Sequence, residues 1–253
     1  MQSITIRNVT IGEGIPKICI PIVGTTKSDI LHETKNAISC NMDLLEWRAD
    51  YYENCFDIQK VIEVLTEIRQ IAKQIPIIFT FRTKKEGGEK QIALENYTAL
   101  IDAVMEQCTA DIVDIELFSG DTVVIPLIER AKRYAAKTIL SSHDFKNTPP
   151  ESEIISRLCR MQQLGADITK IAVMPQCKKD VLILLSATEQ MQSKYADRPF
   201  VTMSMGAMGS ISRIVGEIFG SAITFGVGNK SSAPGQIEST ILKQVLQTIH
   251  NIM

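Results

Sequence analysis

The sequence predicts an α/β protein, a closed (β/α)8 TIM barrel spanning residues 1–253 as a single domain. Three observations carry this: short β-branched runs recur along the chain, amphipathic segments lie between them, and the spacing is regular. The expected strands are Ile18–Val23, Asp43–Arg48, Ile77–Arg82, Ile112–Leu117, Thr138–His143, Ile168–Met174, Phe200–Ser204 and Ala222–Val227. Their starts lie 22 to 35 residues apart, and one βα unit needs about 30. In Asp57–Gln74, Ile58, Val61, Ile62, Leu65, Ile68 and Ile71 recur with helical period behind Asp57 as N-cap. Glu151–Leu164 repeats the pattern and stops at Gly165, and a last helical segment covers Ile237–Ile249. Strand–helix alternation implies a parallel sheet covered by helices. An open doubly wound sheet is the alternative, but its G-x-G-x-x-G is missing after the first strand. Two alternating stretches in Ser3–Gly14, Ile4–Arg7 and Val9–Ile11, are expected to form a hairpin closing the barrel floor.

Composition narrows the function. The 253 residues are 45% hydrophobic and 22% charged, with a net charge of −2. That suits a globular chain with a core and gives no basic excess to draw nucleic acid or an anionic membrane. No run of 18 apolar residues and no cationic, then apolar, leader appear, so neither a membrane span nor a secretory signal is expected. The six cysteines, Cys19, Cys40, Cys55, Cys108, Cys159 and Cys177, form no C-x-x-C pair and read as reduced core thiols. A cytoplasmic location is the default expectation.

In a (β/α)8 barrel the chemistry sits at the C-terminal strand ends, so ionisable residues in or after apolar strands are the candidates. Glu46 and Arg48 are two apart and leave the same strand face; they fit a binding role or an ion pair sealing the barrel. Arg82 ends "FTFR", followed by the charged, glycine-containing loop Lys84–Gly88, and reads equally as a site residue or as a solvated surface arginine. His143 follows "TILSS", with Asp144 next to orient its ring or cap the turn, while His32 and His250 read as surface residues. Lys170 interrupts "ITKIAVM", otherwise a fully buried strand. Desolvating an ammonium is costly, so a lysine there reads as pointing outward between helices, as a buried ion-pair partner, or as a nucleophile. A lysine amine (ordinary pKa ~10.4) attacks a ketone only when a dry pocket or a nearby cation strips its proton.

His143 and Lys170 are 27 residues apart, one βα unit, which puts them on neighbouring strands at one rim. An imine beside a base suits proton removal α to a carbonyl, and Glu86 is placed to tune the imidazole. Arg213 can grip a carboxylate or phosphate with two prongs, and Ser231, Ser232 and Gln236 add neutral donors. "GNKSS" lacks the spacing of a P-loop.

These residues fall in blocks, "DLLEWRAD", "FTFRTKKEGGE", "SSHDF", "KIAVMPQ", "VTMSMG", "SRIVGEIFGSAITFG" and "SAPGQI", through which the chain resembles the type I 3-dehydroquinate dehydratases over essentially its whole length. The resemblance implies a homodimeric (β/α)8 barrel that needs no metal or cofactor. It also implies syn elimination of water from 3-dehydroquinate through an imine, giving 3-dehydroshikimate in the shikimate pathway. On it, Lys170 forms the Schiff base, His143 is the general acid and base, and Glu86 orients His143. Arg213 clamps the substrate carboxylate, while Glu46, Arg48, Arg82, Ser232 and Gln236 bind hydroxyls and help close the site. Two departures bear on the rim: Pro21 stands where some members have serine, and Gly206–Gly209 where some carry a charged "KEG". A class I aldolase on the same barrel and a non-catalytic polyol-acid binder are the competing readings.

Overall fold

The computed structural model describes residues 2–40, 42–228 and 232–253. After an antiparallel hairpin, Ile4–Ile6 (β1) with Val9–Ile11 (β2), parallel strands alternate with helices. The order is Lys17–Ile22 (β3), Lys27–Ile38 (α1), Leu44–Arg48 (β4), Ile58–Ala72 (α2), Ile77–Thr80 (β5), Leu94–Glu106 (α3), Ile112–Glu116 (β6) and Asp121–Arg133 (α4). Lys137–Asp144 (β7), Glu151–Gln163 (α5), Ile168–Val173 (β8), Lys178–Gln190 (α6), Phe200–Ser204 (β9), Gly216–Phe219 (α7), Ile223–Val227 (β10), Ile237–Glu238 (β11) and Ser239–Ile252 (α8) complete it.

Neighbouring strands pair in parallel from β3 through β9, and β10 returns to pair with β3. The ring shuts at the β9–β10 seam, where Ala222 N donates to Phe200 O at 2.8 Å and Thr202 N to Ser221 Oγ at 3.1 Å. All eight expected strands are present to within a residue or two at their ends.

Local sequence explains the helices. Asp57 caps α2 by accepting Lys60 N at 3.2 Å. The buried stripe of α2 is Val61, Val64, Leu65, Ile68 and Ala72, with Ile58, Ile62 and Ile71 half-buried at its margin. Gly165 follows α5 at φ +91°, a left-handed value glycine takes without strain. The C-terminal segment differs from expectation. Ile237–Glu238 is extended and pairs with Gly226–Val227, and α8 starts only at Ser239, capped by the Glu238 carboxylate on Thr240 N and Ile241 N.

Strand alternation sorts side chains into layers. Cys19, Leu44, Ile78, Ile112, Ile139, Ile168, Val201 and Ile223, one from each barrel strand, form an apolar layer with Ile6 and Ile11 of the hairpin. The expected floor plug is therefore packed from below. The outward set, such as Trp47, Phe79, Val113 and Leu140, packs against helix residues such as Leu65 and Leu127. The cysteines depart from expectation. All six are free thiols, but only Cys19 and Cys55 are buried, while Cys108 and Cys177 are exposed in the turn after α3 and at the N-terminus of α6. Among the described residues, no helix is long and apolar enough to cross a membrane.

Candidate active site

Above the apolar layer the inward positions turn polar. The change is confined to β4 through β8: two residues further along come Glu46, Thr80, Asp114, Ser141 and Lys170, and two further again Arg48, Arg82, Glu116 and His143. Lys170 pairs in register with Ser141, and His143 with Ala172, on the adjacent strands β7 and β8. One cavity is lined by Glu46, Arg48, Arg82, His143, Lys170, Arg213, Ser232 and Gln236, with Phe225 and Phe145 in its wall. All the candidates except Glu86 and Ser231 line that cavity. Ser231 lies outside the described residues, and Glu86 stands behind His143.

Lys170 is 4% exposed. Its Nζ sits between two carboxylates, Asp114 at 3.6 Å and Glu46 at 3.8 Å, and 4.4 Å from the centre of the Phe225 ring. The amine is thus dry, as expected, but held in ion pairs. Glu46 does not pair with Arg48; it accepts Thr80 Oγ1 at 2.9 Å, and Arg48 turns to Asp50. The idea of a Glu46–Arg48 seal is corrected, because strand pairing sets Glu46 beside Ile78 and leaves Arg48 one step higher at the rim.

His143 is held twice by one oxygen. Its backbone N–H and its ring Nδ1 both lie 3.0 Å from Glu86 Oε2. Oε2 already accepts the backbone N–H, so it is the acceptor toward the ring as well, whether or not a proton sits on the other carboxyl oxygen; the shared proton is assigned to Nδ1 and the Nε2 lone pair is left as the base. Burial, helped by the charges of Arg82, Lys170 and Arg48, holds the imidazole well below its ordinary range, so it is neutral near pH 7. Burial pushes the Glu86 carboxyl up to about 8 against the pull of Arg82. Its other oxygen, Oε1, is buried without a hydrogen bond. Asp144 does not touch the ring; it caps the following turn by accepting Lys146 N and Asn147 N at 2.9 and 2.8 Å.

The segment bearing Glu86 is a 3-10 turn, Lys84–Glu86, ended by Gly87 at φ +82°. A Cβ on Gly87 would stand 2.3 Å from the Phe145 ring, and that ring stacks on His143 at 6.5 Å. Of the charged loop only Glu86 turns inward while Lys84 and Lys85 stay exposed, and Gly87 lets an aromatic ring back the imidazole.

Arg82 spans the site: Nη2 donates to Asp114 at 2.9 Å, and Nη1 to Glu116 at 3.1 Å and Ser141 Oγ at 3.0 Å, with Glu86 at 3.6 Å. Burial works against its charge, but Asp114, Glu116 and Glu86 outweigh it and hold the guanidinium protonated. Arg213 is the opposite case. It is 2% exposed; among the described residues it donates only to Phe225 O, Pro234 O and the Met203 sulfur, and its Nε has no partner there. No carboxylate lies within salt-bridge distance of it among the described residues, and burial pulls its pKa down to about 10. A buried guanidinium without an anion is primed for one from a ligand. Ser232 and Gln236 bond each other, Nε2 to Oγ at 3.1 Å and N to Oε1 at 2.9 Å. Of the two departures, Pro21 is buried within β3 in register with Glu46, one layer below the rim, and Gly206 lies beyond the end of β9, where its N–H donates to Pro234 O at 3.1 Å.

Sequence reasoning missed Asp50, Asp114, Glu116 and Ser141. The signal for the two acids was present in "IVDIE", where they alternate with apolar residues in a buried strand as Glu46 and Arg48 do.

Ionisable groups gathered at the C-terminal strand ends, over an apolar floor, are the layout of a barrel enzyme. The family model for type I 3-dehydroquinase matches residues 18–253, and the chain belongs to that family. A protein of Clostridioides difficile named 3-dehydroquinate dehydratase is 51% identical over 98% of this chain and 98% of its own length. Another of that name from Clostridium novyi is 49% identical over the full length of both. A crystal structure of the type I enzyme from Clostridium difficile, with covalently modified comenic acid, superposes with a TM-score of 0.97 at 50% identity, covering 100% of this chain and 99% of that one.

Proposed function

We propose that this chain, as a type I 3-dehydroquinase, dehydrates 3-dehydroquinate to 3-dehydroshikimate through a Schiff base on Lys170. The Lys170 ammonium passes a proton to His143 Nε2 and the free amine adds to the C3 ketone; His143 returns that proton to the carbinolamine hydroxyl, which leaves as water and gives the cationic imine. His143 Nε2 then takes a proton from C2, with the cationic imine as electron sink. The same imidazolium returns that proton to the C1 hydroxyl, which leaves as water on the same face. A second water hydrolyses the imine and frees the amine. Glu86 holds the ring so that its base nitrogen faces the cavity. Arg213 takes the substrate carboxylate, while Glu46, Arg48, Arg82, Ser232 and Gln236 contact its hydroxyls as the loops around Glu86 and Ser232 close. No metal or organic cofactor is required by this chemistry.

The observation that carries the reading is a buried Lys170 and, on the paired strand, His143, lining one cavity with an Arg213 that has no carboxylate partner among the described residues. Burial of the amine and family membership support the assignment together. The test is borohydride reduction in the presence of 3-dehydroquinate, followed by peptide mass mapping. Ligand mass fixed on Lys170 is expected; an adduct elsewhere, or none with a turning-over enzyme, would refute it. The same reading carries a homodimer in the cytoplasm without a nucleic-acid partner, checked by light-scattering mass, by cell fractionation and by assaying the purified protein for bound nucleic acid.

A further inference from the structure

We propose that Asp50 is a positioning residue of the active site, locking the Arg48 guanidinium in the orientation from which it meets substrate. The inference rests on the reading of Arg48 as a substrate ligand. Asp50 follows β4 in the short 3-10 turn Ala49–Tyr51 and is 0% exposed. It grips Arg48 by two parallel bonds, Nε to Oδ1 and Nη2 to Oδ2, both 2.8 Å. Two backbone donors fix the carboxylate in turn: Arg82 N reaches Oδ1 at 3.3 Å and Glu89 N reaches Oδ2 at 3.1 Å. Those donors come from the start and the far side of the segment that carries Glu86, so Asp50 is tied to parts of the chain 32 and 39 residues away. The Tyr51 ring lies 5.0 Å from the Arg48 guanidinium carbon and closes off another direction.

An arginine at a cavity rim has many rotamers, and ordering it on binding costs affinity. A fork-on-carboxylate pair removes that cost in advance, because its planar geometry admits one orientation. Each Asp50 oxygen accepts one bond from Arg48 and one from backbone. Asp50→Asn keeps the shape but turns one oxygen into a donor. Whichever way the amide faces, one Arg48 nitrogen and one backbone N–H lose their acceptor.

The test is a double-mutant cycle on 3-dehydroquinate turnover with Arg48→Ala and Asp50→Asn. Asp50→Asn is expected to raise KM about 10- to 100-fold, the size of charged hydrogen bonds lost, with a smaller change in kcat. In the Arg48→Ala background the same substitution should change KM less than about threefold, a non-additivity that general destabilisation does not produce. A KM rise that persists undiminished in that background overturns the coupling while leaving Arg48 a substrate ligand. An unchanged KM for Arg48→Ala refutes that underlying reading and the inference with it. Should Asp50→Asn fail to fold, Arg48→Lys decides: it keeps the charge but cannot make the fork, so KM should rise nearly as far as in Arg48→Ala, and wild-type KM would overturn the proposal.

Discussion

Glu86 spends its acceptor capacity on a single oxygen, which takes both the His143 backbone N–H and the ring Nδ1. The arrangement leaves a pH signature. The Glu86 carboxyl is raised from 4.5 to about 8, so between those values the folded chain holds a proton that the unfolded chain has lost, and its contribution to stability falls as pH rises. His143 is depressed below 6.5, so its contribution rises with pH up to 6.5 and then levels off. The two slopes oppose below 6.5, and from 6.5 to 8 only that of Glu86 remains. Urea unfolding should therefore show the wild type losing up to about 2 kcal/mol relative to Glu86→Gln across that upper window. Parallel loss in the two proteins would contradict the assignment. His143→Ala should lower kcat by ~10²–10⁴-fold, the usual worth of a general acid–base group; near-normal turnover would remove its role. Arg213→Ala should raise KM far more than it lowers kcat, since it removes a buried guanidinium that no carboxylate of the described residues pairs and that is free to take the substrate's anionic group; steady-state kinetics give the split directly.

At the scale of elements, the 3-10 turn Lys84–Glu86 and the end of β7 act as one unit because Gly87 has no side chain. Gly87→Ala puts a methyl group 2.3 Å from Phe145 and keeps a left-handed φ of +82°. The ring must move, and the imidazole stacked on it with it. A fall in kcat is expected together with a stability loss of about 1 kcal/mol or more from the backbone alone. Wild-type kcat in a folded Gly87→Ala protein would show that the ring does not back His143. The strands were legible because burial on both faces leaves continuous β-branched runs. Helix α2 was legible from its cap and period. The extended Ile237–Glu238 was not, because its apolar isoleucine fits the periodicity of the helix it precedes, and only pairing with Gly226–Val227 decides its state.

For the whole molecule, floor and rim divide the work. Ile11 is fully buried in the apolar layer at the end of the barrel opposite His143. Ile11→Ala should cost ~2–5 kcal/mol of stability in denaturant titration while leaving kcat and KM near wild type at a temperature where the protein is folded. A large loss of kcat would show that the floor transmits strain to the rim.

The strands, the expected helices (all but the start of the last), the plugging hairpin and the placing of His143 and Lys170 on neighbouring strands follow from local pattern and spacing, because period and burial are properties of short stretches of chain. Which charge meets which was decided by tertiary structure alone. Arg82 reaches Asp114 and Ser141, 32 and 59 residues away, and Glu86 reaches His143 across 57. Those encounters exist only once the sheet has curled and closed, since the energy of a buried ion depends on every neighbour the closed barrel brings within a few ångströms.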